Sequence, residues 1–342
     1  MTAQPDTEPM RRALEAALAG PAADPNPRVG AVVLDAAGDL VGVGHHAGAG
    51  TPHAEVVALA RAGEGARGGT AYVTLEPCSH QGRTAPCTDA LLRAGVARVV
   101  YAVADPHRRA AGGARVLAEQ GVVVTGGVLE REAAELVHAW AFAVHTGRPW
   151  VTWKLAATLD GRVAAADGSS AWITSEPARA DVHRLRARCG AIVVGTGTAL
   201  ADDPALTVRG SDGRPAGEQP LRVVVGRRGL PPGARLLDGS APMLALATHD
   251  PAEVLAELHH REVRQVLLEG GPTLAAAFWR AGLVEEVVAY LAPALLGTGA
   301  TAVGDLGIAS IAGIARLEVV DLARVGPDIR ITARPRARKE ES

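Results

Sequence analysis

Apolar positions along the chain fall into two alternating rhythms, a period of two and a period near 3.6. In the first half, helical spacing covers residues 11–19, and a DPNPR turn then leads into a strand at 29–34 and a short strand at 40–44. Thr51 and Pro52, as N-cap and N1 pair, open a helix at 54–62. Strand 70–75, helix 88–94, strand 98–103, helix 114–120, strand 122–124 and helix 130–144 follow, closed by the punctuation Gly147-Arg148-Pro149. The second half restarts with a strand at 150–156 and a helix at 177–188. Strands are predicted at 191–194, 221–225, 242–247, 265–269 and 286–291, with a helix at 273–281 between the last two. Residues 210–219 are polar and rich in Gly and Pro, hence a surface loop. Strand–helix alternation argues α/β in both halves. The expected organisation is a first domain over 1–147, a second over 148–335 and a polar tail over 336–342.

Composition narrows this. A length of 342 residues is about twice an ordinary domain. With 48% hydrophobic and 21% charged residues the chain is not disordered, and with two Phe, three Tyr and five Trp its cores must be Ala, Val and Leu. A net charge of −2 is no footprint for gripping nucleic acid or an anionic membrane. Three Cys make no disulfide framework, the N-terminus has no signal-like apolar stretch, and no run approaches a membrane span. A cytoplasmic protein is expected. Lys occurs only at Lys154 and Lys339, every other long basic side chain being Arg, which singles out Lys154 inside the folded part.

The first half carries a metal constellation. His53 and Glu55 stand at a helix start, Pro77-Cys78 follows 25 residues after His53, and Cys87 precedes the next helix. One His and two Cys suit Zn²⁺ with a fourth position left for water, the catalytic rather than the closed structural pattern. Residues i and i+2 lie about 200° apart on a helix, so His53 and Glu55 both face a metal only at a helix entry. Zinc brings the pKa of its water toward about 7. Glu55, not needed as a ligand, is the candidate proton shuttle. H-x-E with a later P-C and second Cys is the mark of zinc nucleobase deaminases. Their usual C-x-x-C is here opened to an eight-residue insert, SHQGRTAP.

The runs TPHAEVVAL and AYVTLEPCSHQGRTAPCTDALLRAGV, with upstream PNPRVGAVV, closely resemble the deaminase domain of the bifunctional riboflavin-biosynthesis deaminase/reductases. The resemblance implies one zinc per chain on His53, Cys78 and Cys87, Glu55 as catalytic acid–base, and substrate contacts from Asn26, His46, His80 and Arg83. The family usually has Lys where Arg83 stands. Asp24 replaces a frequent His, and a D-P-N-P…G-x-G stretch reads Asp105-Pro106-His107-Arg108 and then Ala110-Ala111-Gly112-Gly113.

In the second half TWKLAATLDGRVA, VVGTGTALADDPALTVR and LLEGGPTLAAAFWRAGLVEEVVAYLAPALLG stand out. Glu269-Gly270-Gly271-Pro272-Thr273 ends a strand and opens a helix, which suits either a phosphate at a helix N-terminus or a close-packed turn. A third glycine of a Rossmann fingerprint is missing after Gly195-Thr196-Gly197. Together, in this order, the clusters resemble the reductase domain of the same family. The implied fold is an N-terminal cytidine-deaminase-like α/β/α zinc domain plus a C-terminal dihydrofolate-reductase-like α/β domain that uses NADPH. The resemblance places Ala156, Trp172, Thr198 and Asp202 along the cofactor, with Gly271, Pro272, Thr273, Leu274, Ala275, Ala276 and Ala277 at its phosphates. It gives Ser170, Arg186, Leu206, Arg209 and Glu269 to the substrate, and Lys154 fits the same site. Asp202 doubles as candidate proton donor. Where the family often has Asp-Ser, Val225-Gly226-Arg227 stands, and Arg227 is a candidate for the NADPH 2′-phosphate.

The expected reaction is zinc-hydroxide deamination of 2,5-diamino-6-ribosylamino-4(3H)-pyrimidinone 5′-phosphate, then NADPH reduction of its ribosyl group to ribityl, giving 5-amino-6-(5-phosphoribitylamino)uracil. Rival readings are a nucleic-acid or nucleotide zinc deaminase with an appended nucleotide-binding domain, or a nucleotide sensor whose second half only binds. The expected partner is the small pyrimidine ribosyl phosphate, with no nucleic acid or membrane. Apolar residues 283–296 suggest a buried interface in a homo-oligomer.

Overall fold

The structure is a computed structural model that describes residues 6–336 other than 83, 108, 109 and 211. Arg83 and nearly all of the 336–342 tail therefore lie outside the described residues. The chain divides into two compact units, Met1–Gly147 and Arg148–Ser342.

The first unit runs α1 (Thr7–Ala17), β1 (Gly30–Leu34), β2 (Leu40–His45), α2 (Ala54–Ala62), β3 (Thr70–Leu75), α3 (Cys87–Ala94), β4 (Arg98–Val103), α4 (Gly113–Glu119), β5 (Val123–Thr125) and α5 (Glu130–Thr146). Its sheet has the order β2-β1-β3-β4-β5, with β1 antiparallel to both neighbours and β3, β4 and β5 parallel. Alternation along the strands feeds two cores. Ala31, Val33, Val73 and Val99 meet Ala58, Leu91 and Leu117 of α2, α3 and α4, while Val32, Tyr72 and Val100 meet Met10, Ala13 and Ala133 of α1 and α5. This is the expected α/β/α layering, and small residues permit it. A Cβ on Gly44 would stand 2.3 Å from the Ala54 carbonyl oxygen, so glycine in β2 lets α2 lie against the strand. Two details differ from the sequence reading. α1 begins four residues early, because Pro9 sits in its first turn, where no N–H is needed. The N-cap of α2 is His53, not Thr51.

The second unit runs β6 (Trp150–Thr158), α6 (Glu176–Arg186), β7 (Ala191–Gly195), α7 (Thr196–Asp202), β8 (Leu221–Val225), β9 (Met243–Leu246), α8 (Pro251–His260), β10 (Gln265–Leu268), α9 (Pro272–Arg280), β11 (Glu286–Ala292), β12 (Leu317–Val325) and β13 (Asp328–Pro335). The eight strands order as β12-β13-β11-β6-β10-β7-β8-β9, parallel from β11 to β9, with β13 antiparallel to both β11 and β12. Helix α7, helix α8 and the β12–β13 hairpin are elements the sequence reading did not assign. Within the apolar run at 283–296, residues 286–292 form β11 of the unit's own sheet. Val287, Val288, Tyr290 and Ala292 of β11 are buried between β6 and β13, while Leu295 and Leu296 beyond the strand are exposed. Further exposed apolar side chains lie on the hairpin and the segment before it, at Val319, Val320, Leu322, Ile329, Ile311 and Ile314.

Candidate active sites

His53 caps α2 with extended backbone angles (φ −68°, ψ 161°), and Glu55 follows in the first helical turn. Cys87 is the first residue of α3, and Cys78 lies on the loop after β3. His53 Nδ1 stands 3.1 Å from Cys87 Sγ and 3.6 Å from Cys78 Sγ, and all three donor atoms lie within 4.8 Å of one another. A tetrahedral zinc with ordinary bond lengths separates nitrogen and sulfur ligands by about 3.6 Å, so the donor set fits. The Cys87 N–H donates to Cys78 Sγ at 3.4 Å. That hydrogen-bonded cysteine pair, with His53 beside it, holds the Cys78 thiol well below its ordinary value. His53 Nε2 meets the Thr84 hydroxyl at 3.2 Å. Glu55 is buried, and burial raises its pKa against the pull of His53. A buried carboxylate poised to hold a proton beside three zinc donors can shuttle protons during hydrolytic deamination.

Asn26 and His46 join the same pocket. The Asn26 side-chain amide lies 3.1 Å from His46 Nε2, while His46 Nδ1 donates to the Pro52 carbonyl at 3.2 Å. The His46 ring crosses that of His53 edge-on at 5.4 Å, and burial keeps its pKa low. Asp24 closes the turn by accepting from the backbone N–H groups of Asn26 and Ala49, at 2.8 and 3.0 Å. His80 lies near-parallel to His107 with ring centroids 6.0 Å apart, and both Nδ1 atoms are buried without a partner among the described residues. The altered 105–113 segment thus contributes His107, which the sequence reading did not place in a site. Glu76 was also missed. Its carboxylate accepts from the backbone N–H groups of Asp105, Gly112 and Ala114 (3.2, 3.1 and 3.0 Å), tying that segment to the cysteine loop. A Cβ at Gly113 would stand 1.8 Å from the Pro77 carbonyl oxygen, so only glycine permits this approach. Asp105 is pushed up to about 6 by burial.

In the second unit, Lys154 of β6, Glu269 after β10 and Arg186 at the end of α6 converge. Arg186 donates through Nε and a terminal nitrogen to both Glu269 oxygens, at 2.6 and 2.9 Å, and through its other terminal nitrogen to the Thr207 carbonyl at 3.0 Å. Burial lowers the Lys154 pKa, with Arg186 acting in the same direction and Glu269 and Asp202 opposing. Asp202, the last residue of α7, is raised by desolvation and drawn back by Lys154. Leu206 is buried with φ 49°, and Arg209 Nε donates to the Thr207 hydroxyl at 3.1 Å. No bond engages the terminal nitrogens of Arg209 among the described residues.

The Thr198 hydroxyl accepts the Gly271 N–H at 3.1 Å, joining α7 to the N-cap of α9. Ala275 and Ala276 are buried in the core, so the face of α9 open to a ligand is its first turn, from Gly271 through Thr273, with Leu274 and Ala277 half-buried. Ala156 is half-buried on β6. Ser170 and Trp172 lie on an exposed segment, with the Arg179 guanidinium 4.7 Å from the Trp172 ring centroid. No hydrogen bond ties either to Lys154, Glu269 or Asp202 among the described residues. After β8, Arg227 and Arg228 are exposed, and an Arg228 terminal nitrogen lies 3.6 Å from where a Cβ on Gly197 would stand. Arg222 is fully buried on β8 and donates to the carbonyls of Ala205, Arg235 and Ala241. A charged residue inside the run LRVVV was the available signal for it.

Comparison with known proteins matches residues 3–103 to the cytidine and deoxycytidylate deaminase zinc-binding region and residues 149–331 to the RibD C-terminal domain. The riboflavin biosynthesis protein RibD of Mycobacterium tuberculosis (strain H37Rv) is 54% identical over 306 residues, covering 89% of this chain and 90% of that protein. RibD of Escherichia coli K12 is 42% identical over 355 residues, covering 94% and 96%. Among solved structures, Acinetobacter baumannii RibD superposes with a TM-score of 0.90 at 39% identity, covering 97% of this chain and 99% of the other. The diaminohydroxyphosphoribosylaminopyrimidine deaminase/5-amino-6-(5-phosphoribosylamino)uracil reductase of Thermotoga maritima gives 0.89 at 31% identity, covering 97% and 99%. No helix among the described residues is long and apolar enough to cross a membrane.

Proposed function

Because the chain belongs to the RibD family, the bifunctional deaminase/reductases of riboflavin biosynthesis, we propose that its two sites act in turn on one small pyrimidine ribosyl phosphate. The substrate is 2,5-diamino-6-ribosylamino-4(3H)-pyrimidinone 5′-phosphate and the product 5-amino-6-(5-phosphoribitylamino)uracil. The observation that carries the reading is the convergence of His53, Cys78 and Cys87 beside buried Glu55. Zinc there supplies the acidification of water that makes a nucleophile available near neutral pH. Glu55 would take up the proton released by the attacking water and deliver it to the ring nitrogen, then move the second proton, from the hydroxyl left on the ring carbon, to the departing ammonia as the carbon–nitrogen bond breaks. Asn26 and His46 hold the pyrimidine, with the His46 tautomer fixed by the Pro52 carbonyl. Contacts to the ribosyl phosphate are assigned to His80 and, by the family resemblance, to Arg83.

In the second unit a nicotinamide cofactor supplies the hydride for reduction at C1′ of the opened ribosyl imine. We assign NADPH. The start of α9 offers the pyrophosphate the backbone N–H groups of Thr273 and Leu274, since Pro272 has none and the Gly271 N–H is taken by Thr198, with Thr198, Ala156 and Trp172 along the cofactor. Arg227 and Arg228, two guanidinium groups at the end of β8, read the 2′-phosphate. Arg209 takes the substrate phosphate through its unengaged terminal nitrogens, Ser170 and Leu206 border the substrate, and Arg186 holds Glu269 in place. Lys154 holds a proton toward the C1′ region, with Asp202 as the residue that resupplies it.

A second copy pairing along the β12 edge would cover Val319, Val320 and Leu322, since two identical edges related by a two-fold axis are self-complementary. Zinc thiolates suit the reducing cytoplasm. The test incubates zinc-loaded protein with the substrate and NADPH and follows masses. Loss of ammonia must precede gain of two hydrogens, and Arg228→Ala must raise KM for NADPH while leaving that for NADH unchanged. Equal losses with both cofactors would remove the 2′-phosphate role. Salt-sensitive RNA binding at micromolar protein would favour the nucleic-acid deaminase instead.

A further inference from the structure

The eight residues between Cys78 and Cys87 lengthen a connection that related deaminases keep short, and the family resemblance gives them to the substrate. One of them meets a zinc donor instead. The Thr84 hydroxyl stands 3.2 Å from His53 Nε2, while Nδ1 of the same ring faces both sulfurs at 3.1 and 3.6 Å. The loop is closed on itself at this point, with the Gly82 N–H donating to the Thr84 carbonyl at 3.1 Å.

A neutral imidazole has one protonated nitrogen and one lone pair. Zinc needs the lone pair on Nδ1, which requires the proton on Nε2 and an acceptor there to receive it. Without an acceptor, the half-buried Nε2–H would go unsatisfied. The competing tautomer would place a proton on Nδ1, where two sulfur acceptors wait, and the nitrogen would be lost to the metal. The Thr84 oxygen supplies the missing acceptor. Threonine is suited to this because its branched Cβ restricts χ1 and so fixes where the oxygen points.

We infer that Thr84 is a positioning residue for the zinc site, its hydroxyl accepting the His53 Nε2 proton and committing Nδ1 to the metal. The inference rests on the zinc assignment above and adds a function to the insert that substrate recognition does not require.

The experiment measures zinc affinity of the full chain by competition with a chromophoric chelator, for wild type, Thr84→Val, Thr84→Ala and Thr84→Ser. Valine keeps the shape and removes the acceptor, alanine removes both, and serine keeps the acceptor. Valine and alanine should weaken zinc binding by about 10–100-fold, the usual effect of deleting a partner of a metal-bound histidine, and serine should restore most of it. The unfolding midpoint of the metal-free protein should be the same for valine and wild type, because the hydroxyl serves the tautomer and not the fold. Unaltered affinity in Thr84→Val and Thr84→Ala would overturn the inference and leave the zinc reading intact. Serine as weak as alanine, or a metal-free midpoint lowered in step with affinity, would overturn it in favour of packing. Wild-type protein without measurable zinc affinity would remove the metal reading itself and this inference with it.

Discussion

Substituting Glu269 by Gln tests whether Arg186 is spent inside the protein or free for a ligand. In the structure both carboxylate oxygens pair with the guanidinium, at side-chain exposures of 15% for Arg186 and 8% for Glu269. Glutamine keeps one acceptor, turns an amide donor toward a donor, and leaves Arg186 without its counter-charge and the neighbouring Lys154 with Asp202 alone. Removing one partner of a buried ion pair costs about 3–5 kcal/mol. At about 2–4 °C per kcal/mol for a unit of this size, the reductase transition should fall by roughly 6–20 °C at pH 7. Four of the five tryptophans, Trp150, Trp153, Trp172 and Trp279, lie in this unit, so intrinsic fluorescence follows its unfolding. The pH dependence has a definite sign. Burial pushes Glu269 up, but the charge and hydrogen bonds of Arg186 outweigh it, and the folded pKa lies below the usual 4.5. The pair's contribution is therefore complete above that value and lost as pH falls through the folded pKa, so the gap between wild type and Glu269→Gln should close under acid. Arg186→Met combined with Glu269→Leu should recover most of the stability, because an apolar pair of similar volume replaces the ions. A midpoint change under about 2 °C at pH 7 would refute the argument and return Arg186 to direct phosphate binding.

Three further outcomes follow from the same geometry. Glu55→Gln should retain about one zinc per chain yet lose deamination by on the order of 10²–10⁴-fold, and loss of zinc with activity would make Glu55 a ligand. Lys154→Arg should slow reduction by roughly tenfold, about 1.4 kcal/mol. Burial makes Lys154 give up its proton below the ordinary 10.5, so the basic limb of the wild-type reductase profile should fall below that pH and move upward in the arginine variant. Cutting the chain within 147–149 should leave an N-terminal piece that deaminates and a C-terminal piece that binds NADPH. A folded C-terminal piece without NADPH affinity would show that the cofactor site needs both units.

What the sequence made legible follows from how local each signal is. The predicted spans 54–62, 70–75, 98–103 and 221–225 coincide with α2, β3, β4 and β8, all of which turn a clear apolar face to a core. The zinc donors were legible because cysteine is rare in this chain and three ligands, one histidine and two cysteines, stood in a known order. β12 and β13 were not. Most side chains of β12 are exposed and most of those of β13 are buried or half-buried, so no clean alternation marks them, and their pairing depends on β11 far away in the chain. The run at 283–296 is ambiguous for a related reason. An interior strand such as β11, parallel to β6 on one side and antiparallel to β13 on the other, is as apolar as an interface, and sequence alone does not separate the two. The pairing of Arg186 with Glu269, 83 residues apart, was likewise invisible, although each residue had been assigned to the site.

The residues that hold the site loops were the least legible, and one chemical device recurs among them. Glu76 takes three backbone N–H groups of the 105–114 segment, and Asp24 takes two across the turn that presents Asn26. In the other unit Asp160 accepts from the Thr158 hydroxyl and from the N–H groups of Gly297 and Leu296, which together hold it down to about pKa 2, the hydroxyl most of all, and Asp328 accepts both the N–H and the hydroxyl of Ser175. Loops that carry ligand-binding groups leave backbone donors without secondary-structure partners, and an ionised carboxylate satisfies several at once with charge-assisted bonds. Such a residue need touch neither substrate nor metal. It carries no motif of its own, since what it must match is the spacing of distant N–H groups. That explains how Asp24, at a position where the family resemblance leads one to expect histidine, holds the turn: the aspartate bonds to the backbone N–H groups of Asn26 and Ala49. The substitution is a change in how the Asn26 turn is held, while His53, Cys78, Cys87 and Glu55 keep their convergence.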